Sequence, residues 1–372
     1  MLIVRSPVRV SFGGGGTDLP GYFEAYGGAV LSAAINKYFY TIVSRRTDRH
    51  VQIISSDLRA CESWDDIKTI SAKGHTLEIP LAVLQELGHE VAVDIFLASE
   101  IPPGTGLGSS ACVCVNVLHA MATYLQVSLS RHEFAEKAFH IASQVLGKPI
   151  GKQDEYAAAF GGLNFIRFHP DGRTDVEPVN IAPDILAALQ AKLMLFFTGV
   201  THDSWSILRE QQAATRARMS VPVASLHRIR ELAEAMREAL LQEDLRKFGL
   251  LLHEGWENKK RVSSMISNPA IDRMYSLARD HGAVGGKITG AGGGGFMLLY
   301  CDEANQPAVR RAFLAQGIKE MRFAFDFNGS RVLVNEPFID KNHGDQEPPT
   351  ESDEGGRKDV AGGLSFQQTP VS

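Results

Sequence analysis

Apolar positions come in short runs over the first half of the chain and in longer helical spacings over the second. Residues 2–12 alternate apolar and polar around Pro7 and predict an edge strand, where a missing N–H is tolerated. Residues 29–35 and 38–44 predict two further strands, the second aromatic and β-branched, with 51–55 as its partner. A helix is expected over 75–87, stopped by Gly88, and a strand over 91–99. Residues 112–125 are apolar enough for a buried helix, and Ser130 with Glu133 forms a capping-box signature for a helix over 131–146.

A loop at 147–156 leads into a short helical run at 156–160. A hairpin of 163–168 with 174–181 follows, around Pro170-Asp171-Gly172. Beyond an apolar strand at 193–197, residues 203–219, 223–241 and 244–260 read as three helices. A helix at 270–281, a strand at 296–300, a helix at 306–316 and strands at 323–327 and 331–335 complete the pattern. With 372 residues, more than one hydrophobic core usually holds, two domains are expected, at 1–185 and 186–338. Residues 339–372 are polar, with Pro348-Pro349 and Gly-Gly pairs, and are expected to be disordered.

A net charge of −5 argues against non-specific nucleic-acid binding. The basic clusters Arg45-Arg46 and Lys259-Lys260-Arg261 fit a small anion or a solvated face. The four cysteines have no C-x-x-C or disulfide-framework spacing and read as reduced, and the histidines lack metal-ligand spacing. No apolar run reaches the ~18 residues of a membrane span. No secretory pattern opens the chain, so a cytoplasmic protein is expected, with no membrane or nucleic-acid partner.

The candidate chemistry lies in three glycine-rich stretches. Pro103, Gly104, Thr105, Gly106, Leu107, Gly108, Ser109 and Ser110 join a predicted strand to a predicted helix, the arrangement of an anion seat, although the glycines alone also fit a plain turn. Gly13 to Gly16, followed by Thr17 and Asp18, form a loop of close approach with two hydrogen-bonding groups, or a turn capped by Asp18. The third stretch spans residues 285–295. Asp154, beside a helix start in a Gly-flanked loop with Lys152 and Gln153, is a helix cap or a site residue. No G-x-x-x-x-G-K-[ST] is present, and the glycine spacing at 104–108 departs from a dinucleotide fingerprint.

Residues 103–111 resemble the phosphate-binding motif of the GHMP kinases, the galactokinase, homoserine, mevalonate and phosphomevalonate kinase superfamily. Ser6 to Arg9 with Gly16-Thr17-Asp18 is similar to its N-terminal substrate motif, and residues 287–295 to its C-terminal glycine motif. Residues 13–18, 151–162 and 266–269 are similar to its D-glycero-α-D-manno-heptose 7-phosphate kinases, and fucokinase-like sugar 1-kinases share parts of the pattern. The resemblance implies an α+β fold of two domains, an N-terminal ribosomal protein S5-type domain and a C-terminal ferredoxin-like domain with added helices. It implies ATP and Mg²⁺ as cofactors, with ATP phosphates on 103–110 and Ser110 as a Mg²⁺ ligand.

Asp154 would then accept or orient the anomeric proton, and Arg9 would stabilise charge on the transferring phosphoryl group. Gly15, Gly16, Thr17, Asp18, Gly292 and Gly293 would hold the sugar, with Lys152, or less favourably Arg5, on the sugar's own phosphate. Where relatives carry a Mg²⁺-binding Glu, this chain has Ala142, which leaves a non-catalytic sugar-phosphate-binding regulator as the alternative. The oligomeric state is not readable from the sequence.

Overall fold

The computed structural model describes residues 1–88, 90–201 and 204–336. The expected disordered tail and the predicted helix start at Asp203 lie outside the described residues. The elements up to the third helix are β1 (Leu2–Gly13), α1 (Pro20–Tyr26), β2 (Gly28–Arg45), β3 (Val51–Ser55), β4 (Ala60–Trp64), α2 (Glu78–Leu87), β5 (Val93–Ser99) and α3 (Ser109–Tyr124). There follow α4 (Arg131–His140), α5 (Gln153–Phe160), β6 (Leu163–Phe168), β7 (Thr174–Pro178), α6 (Pro183–Lys192) and β8 (Leu193–Phe197). The last are α7 (Ser204–Arg216), α8 (Ser220–Leu241), α9 (Leu245–Lys260), α10 (Pro269–Asp280), β9 (Ala283–Ile288), β10 (Phe296–Cys301), α11 (Gln306–Leu314) and β11 (Arg331–Asn335).

β2 is one 18-residue strand, where the apolar pattern predicts two. Its ladder with β1 slips between Pro7 and Val8, where Pro7 offers no N–H, so Asn36 and Lys37 bulge without ending the strand. One edge of β2 carries β6 along residues 28–33 and β5 along 39–45. β3 is therefore not its partner: it pairs parallel to β5 and antiparallel to β4. β1 is also not an edge strand at its start, because β11 pairs with Leu2 to Arg5 on the other side. Pro7 lies just past that pairing.

A second, antiparallel sheet runs β8-β10-β9. Gly285 and Gly286 belong to its strand β9, not to a loop as the glycine count suggests. A Cβ at Gly285 would overlap the carbonyl of Gly249 on α9, so these glycines let a helix lie directly on the sheet. Trp256, Met194, Phe196, Met297, Leu299 and Phe313 form the core beneath it. Residues 323–327 make only the isolated bridge Ile35 to Phe325, and β11 returns the chain to the large sheet. The Ser130 and Glu133 capping box forms in both directions, but the helix passes into a π-helical turn over Ile141–Val145. No helix among the described residues is long and apolar enough to cross a membrane.

Candidate active site

α3 begins directly from the glycine loop, with Gly108 in a left-handed conformation as its N-cap. The first intrahelical bond is donated by Cys112 to Gly108 O, so the preceding amides of the first turn have no intrahelical acceptor. These amides, with the positive end of the helix dipole, form a seat for anionic oxygens. Pro103, Gly104, Thr105, Gly106, Gly108, Ser109 and Ser110 line a cavity of about 330 Å³ whose other walls include Phe39, Leu97, Ile101 and Val113. Leu107 is fully buried, and its carbonyl accepts the backbone N–H of Arg9 at 3.0 Å, so it ties the loop to β1 and does not line the cavity.

The third glycine stretch braces this seat. Gly106 has φ +78°, and a Cβ there would overlap the Thr289 carbonyl; a Cβ at Gly290 would stand 2.7 Å from Gly106 Cα. Two backbones touch where side chains would hold them apart. Gly290 and Ala291 accordingly line the cavity. Gly292 and Gly293 do not: Gly292 packs on Ile266, and Gly293 donates to the Ile266 carbonyl and lines a separate cavity with Thr198 and Asn268. Their expected contact with sugar is corrected to these packing roles.

Arg9 and Asp154 stand where this cavity meets a smaller polar pocket, and both residues line both spaces. Arg9 Nε donates to Asp154 Oδ1 and its NH2 to Oδ2, each at 2.7 Å, while NH1 donates to the Gly106 carbonyl at 2.7 Å. The guanidinium is buried, and the Asp154 side chain keeps 26% of its surface exposed toward the junction. Asp154 is on the first turn of α5, which starts at Gln153, earlier than the predicted helical run at 156, so it is neither the N-cap nor a loop residue.

The smaller pocket is lined by Gly15, Gly16, Asp18, Ser110, Asp154 and Lys259, among others. Asp18 is buried and accepts from the Gly16 N–H at 2.8 Å and from the Gln153 N–H at 3.4 Å. Burial, then the neighbouring Asp154, pushes its carboxyl above the usual range. A Cβ at Gly151 would overlap Asp18 Oδ2, so that glycine makes room for the carboxylate. Thr17 does not reach the pocket. It is fully buried, donates to the Gly14 carbonyl at 2.8 Å and accepts from the Ala29 N–H at 3.1 Å, and so latches the loop onto β2.

Lys152 faces elsewhere. The residue is 5% exposed, and its Nζ donates to both oxygens of Glu136 at 2.8 and 3.0 Å and to the Gly172 carbonyl at 2.8 Å. A buried ammonium so paired is structural, which removes the expected phosphate ligand. Arg5 likewise lies over Tyr38 and 3.9 Å from Asp326. Three buried side chains in their stead escape sequence reasoning. Lys259 from α9 donates to the Gly15 carbonyl and to Gln211 Oε1, each at 3.1 Å, and Lys287 from β9 donates to the Ser11 carbonyl at 2.8 Å. Burial pulls Lys259 down to about 8; burial, then the Lys259 charge, pulls Lys287 down to about 7. Glu155 is buried, neither carboxylate oxygen is bonded, and burial beside Asp154 lifts its carboxyl well above 4.5. The available signal was the Lys259-Lys260-Arg261 cluster, but a basic run does not reveal which of its members points inward.

The donors for Mg²⁺ are sparse. Ala142 is buried in the π-helical turn, its carbonyl accepting from the Lys148 N–H. The cavity-lining carboxylates are engaged: Asp57 by Ser55, Glu78 by Lys148 and Asp154 by Arg9. Among the described residues no group of three His, Cys, Asp or Glu could hold a metal. The Ser110 hydroxyl remains as a side-chain donor, which does not fit a metal held by the protein alone.

A glycine-built anion seat beside a partly buried Arg–Asp pair is an arrangement that phosphoryl transfer can use. Residues 75–162 match the GHMP kinases N terminal domain and residues 236–319 the GHMP kinases C terminal domain. A D-glycero-alpha-D-manno-heptose 7-phosphate kinase of Campylobacter jejuni is 31% identical over 335 residues, 89% of this chain and 97% of that protein. The chain therefore belongs to the GHMP kinase family and is a sugar kinase, a phosphotransferase with an alcohol group as acceptor, for which the family implies ATP. An L-fucokinase/L-fucose-1-P guanylyltransferase of Bacteroides fragilis is 27% identical over 86% of this chain and 37% of its own length. Among solved structures, a D-glycero-D-manno-heptose 1-phosphate kinase from Bacteriodes thetaiotaomicron superposes with a TM-score of 0.76 at 28% identity, covering 91% of this chain and 100% of that one.

Proposed function

We propose that this enzyme transfers the γ-phosphoryl group of ATP to the anomeric hydroxyl of D-glycero-α-D-manno-heptose 7-phosphate, giving the 1,7-bisphosphate, in activated-heptose synthesis for bacterial surface glycans. The observation that carries the reaction is the Arg9–Asp154 pair at the junction of the two spaces. The choice of sugar rests on the relative from Campylobacter jejuni.

ATP fits the larger cavity through the free amides of the α3 first turn and the apolar walls around Phe39 and Leu97. Sugar in the smaller pocket then presents its anomeric hydroxyl to Asp154, with Asp18 accepting from another hydroxyl. Each Asp154 oxygen keeps a lone pair beside the one engaged by Arg9, so the carboxylate orients the hydroxyl and takes its proton as the new P–O bond forms. Arg9 retains N–H donors beyond the three engaged, and these stabilise charge on the transferring group. The phosphoryl group passes directly to the sugar oxygen and ADP leaves, with no covalent enzyme intermediate. Mg²⁺ would arrive with the nucleotide and meet the Ser110 hydroxyl. The engaged carboxylates and Ala142 favour a metal held chiefly by phosphates and water.

The test is ADP release with ATP, Mg²⁺ and the heptose 7-phosphate against fucose, galactose and mannose, with the product's phosphate position read by NMR. A 1,7-bisphosphate supports the reading. Turnover of another sugar replaces the substrate, and binding without turnover of any returns the regulatory alternative.

A further inference from the structure

We propose that Lys259 reads the phosphate already carried by the sugar, held in place by Gln211, and so sets the preference for a phosphorylated over an unphosphorylated substrate. The inference rests on the sugar-phosphate substrate proposed above.

Location carries the assignment. Lys259 lines the smaller pocket and not the nucleotide cavity, whereas Arg9, Ser110 and Asp154 line both. An anion met by Lys259 therefore belongs to the sugar side, away from the transferring group. The glycine loop is shaped around this residue: a Cβ at Gly16 would overlap the Gln211 amide and stand 3.0 Å from Lys259 Nζ. Gln211, fully buried on α7, donates to the Gly16 carbonyl and accepts from Lys259, which fixes the ammonium at the pocket wall.

Charge points the same way. Arg9, Lys259 and Lys287 gather around Asp18 and Asp154, while burial disfavours a charge on Glu155. With both lysines protonated, cations thus outnumber charged carboxylates around the pocket, and a phosphate dianion would balance them. The Ser11 hydroxyl, buried and without a partner, adds an unused donor at the same loop. Ser11 Oγ and Gln153 Nε2 each lie 3.6 Å from the place of a Gly15 Cβ. Burial lowers the proton affinities of Lys259 and Lys287, and a phosphate bound beside them would raise them again.

The experiment compares kcat/KM for D-glycero-D-manno-heptose 7-phosphate and for the unphosphorylated heptose in the wild type and in Lys259→Met. The preference ratio should fall about 10- to 100-fold, mostly through KM for the phosphorylated sugar, as expected for a lost charge-assisted contact. A second readout needs no variant. The charged groups facing Lys259 are Asp18 and Lys287, and with Lys259 losing its proton near 8, the KM for the phosphorylated sugar should rise between pH 7 and 9. The sugar phosphate, whose second ionisation is near ~6, stays dianionic there, and the KM for the unphosphorylated sugar should stay flat. If Lys259→Met does not fold, this pH profile decides. A wild type that prefers the phosphorylated sugar with a flat profile, or a folded variant that keeps the preference, overturns the role of Lys259. A wild type that prefers the unphosphorylated sugar overturns the substrate reading itself.

Discussion

The two halves of the site are built from different materials. The seat that we propose for the nucleotide is backbone: the unpaired amides of one helix start, set by contiguous residues and braced by a second glycine loop whose main chain touches the first. The smaller pocket, which we propose for the sugar, rests on side chains: Asp18 from the loop after β1, Asp154 from α5 and Lys259 from α9 line it, and Gln211 from α7 holds Lys259 in place. A backbone seat tolerates side-chain changes and fails when a Cβ intrudes. A side-chain pocket behaves in the opposite way.

That contrast is open to breaking. The largest effect is expected for Asp154→Ala, which should lower turnover by ~10²–10⁴ while ATP binding persists. Steady-state ADP release with nucleotide-binding calorimetry measures both, and near-normal turnover would remove Asp154 from the chemistry. On the backbone side, Gly106→Val places a branched side chain at φ +78° against Thr289. It should raise the ATP KM by ~10-fold or more and lower stability by ~2–4 kcal/mol, read by kinetics and by chemical denaturation.

Glu155→Gln addresses the buried carboxyl. Its folded-state proton affinity lies well above the ordinary 4.5, so the folded state holds the proton longer than the unfolded one, and stability declines as pH rises above about 4.5. The amide removes that decline. Melting scans should show Glu155→Gln more stable than wild type at pH 7.5, by ~2–4 °C per kcal/mol recovered, with the two converging at pH 4. The smallest effect is expected for Ser109→Ala within the nucleotide seat. Its hydroxyl is buried without a partner, so deletion should leave the ATP KM within about threefold, and a larger loss would show that the seat is not made of backbone alone.

The same division explains what could be read from the chain. The three glycine stretches, Arg9, Asp18 and Asp154 were legible because a contiguous motif carries its own geometry. Most strand and helix positions followed the apolar pattern, and the Ser130 capping box formed as the spacing predicts, but α1, β4 and α6 were not predicted and 323–327 is no strand. Pairing did not follow. β5 separates β2 from β3, and β11 makes β1 an interior strand at its start, since partner choice depends on contacts distant in sequence. β9 was hidden because Gly285 and Gly286 suggest a loop until α9 is seen lying on Gly285 and β10 crowding Gly286.

Lys152 and Lys259 mark the boundary most sharply. Both are lysines near glycines or other cations, and the sequence favoured Lys152 for its place beside Gln153 and Asp154. Neighbours along a helix start point in different directions, and Lys152 turns to Glu136 while Asp154 turns to Arg9. By itself, the sequence determined the glycine loop before α3, the candidates Arg9 and Asp154 and, through the motifs that contain them, the family. Only the tertiary structure decided that Lys259 and not Lys152 lines the smaller pocket and that Thr17, Gly292 and Gly293 make packing contacts. A backbone motif is defined by local conformation, whereas a side chain's target is defined by what the rest of the chain places opposite it.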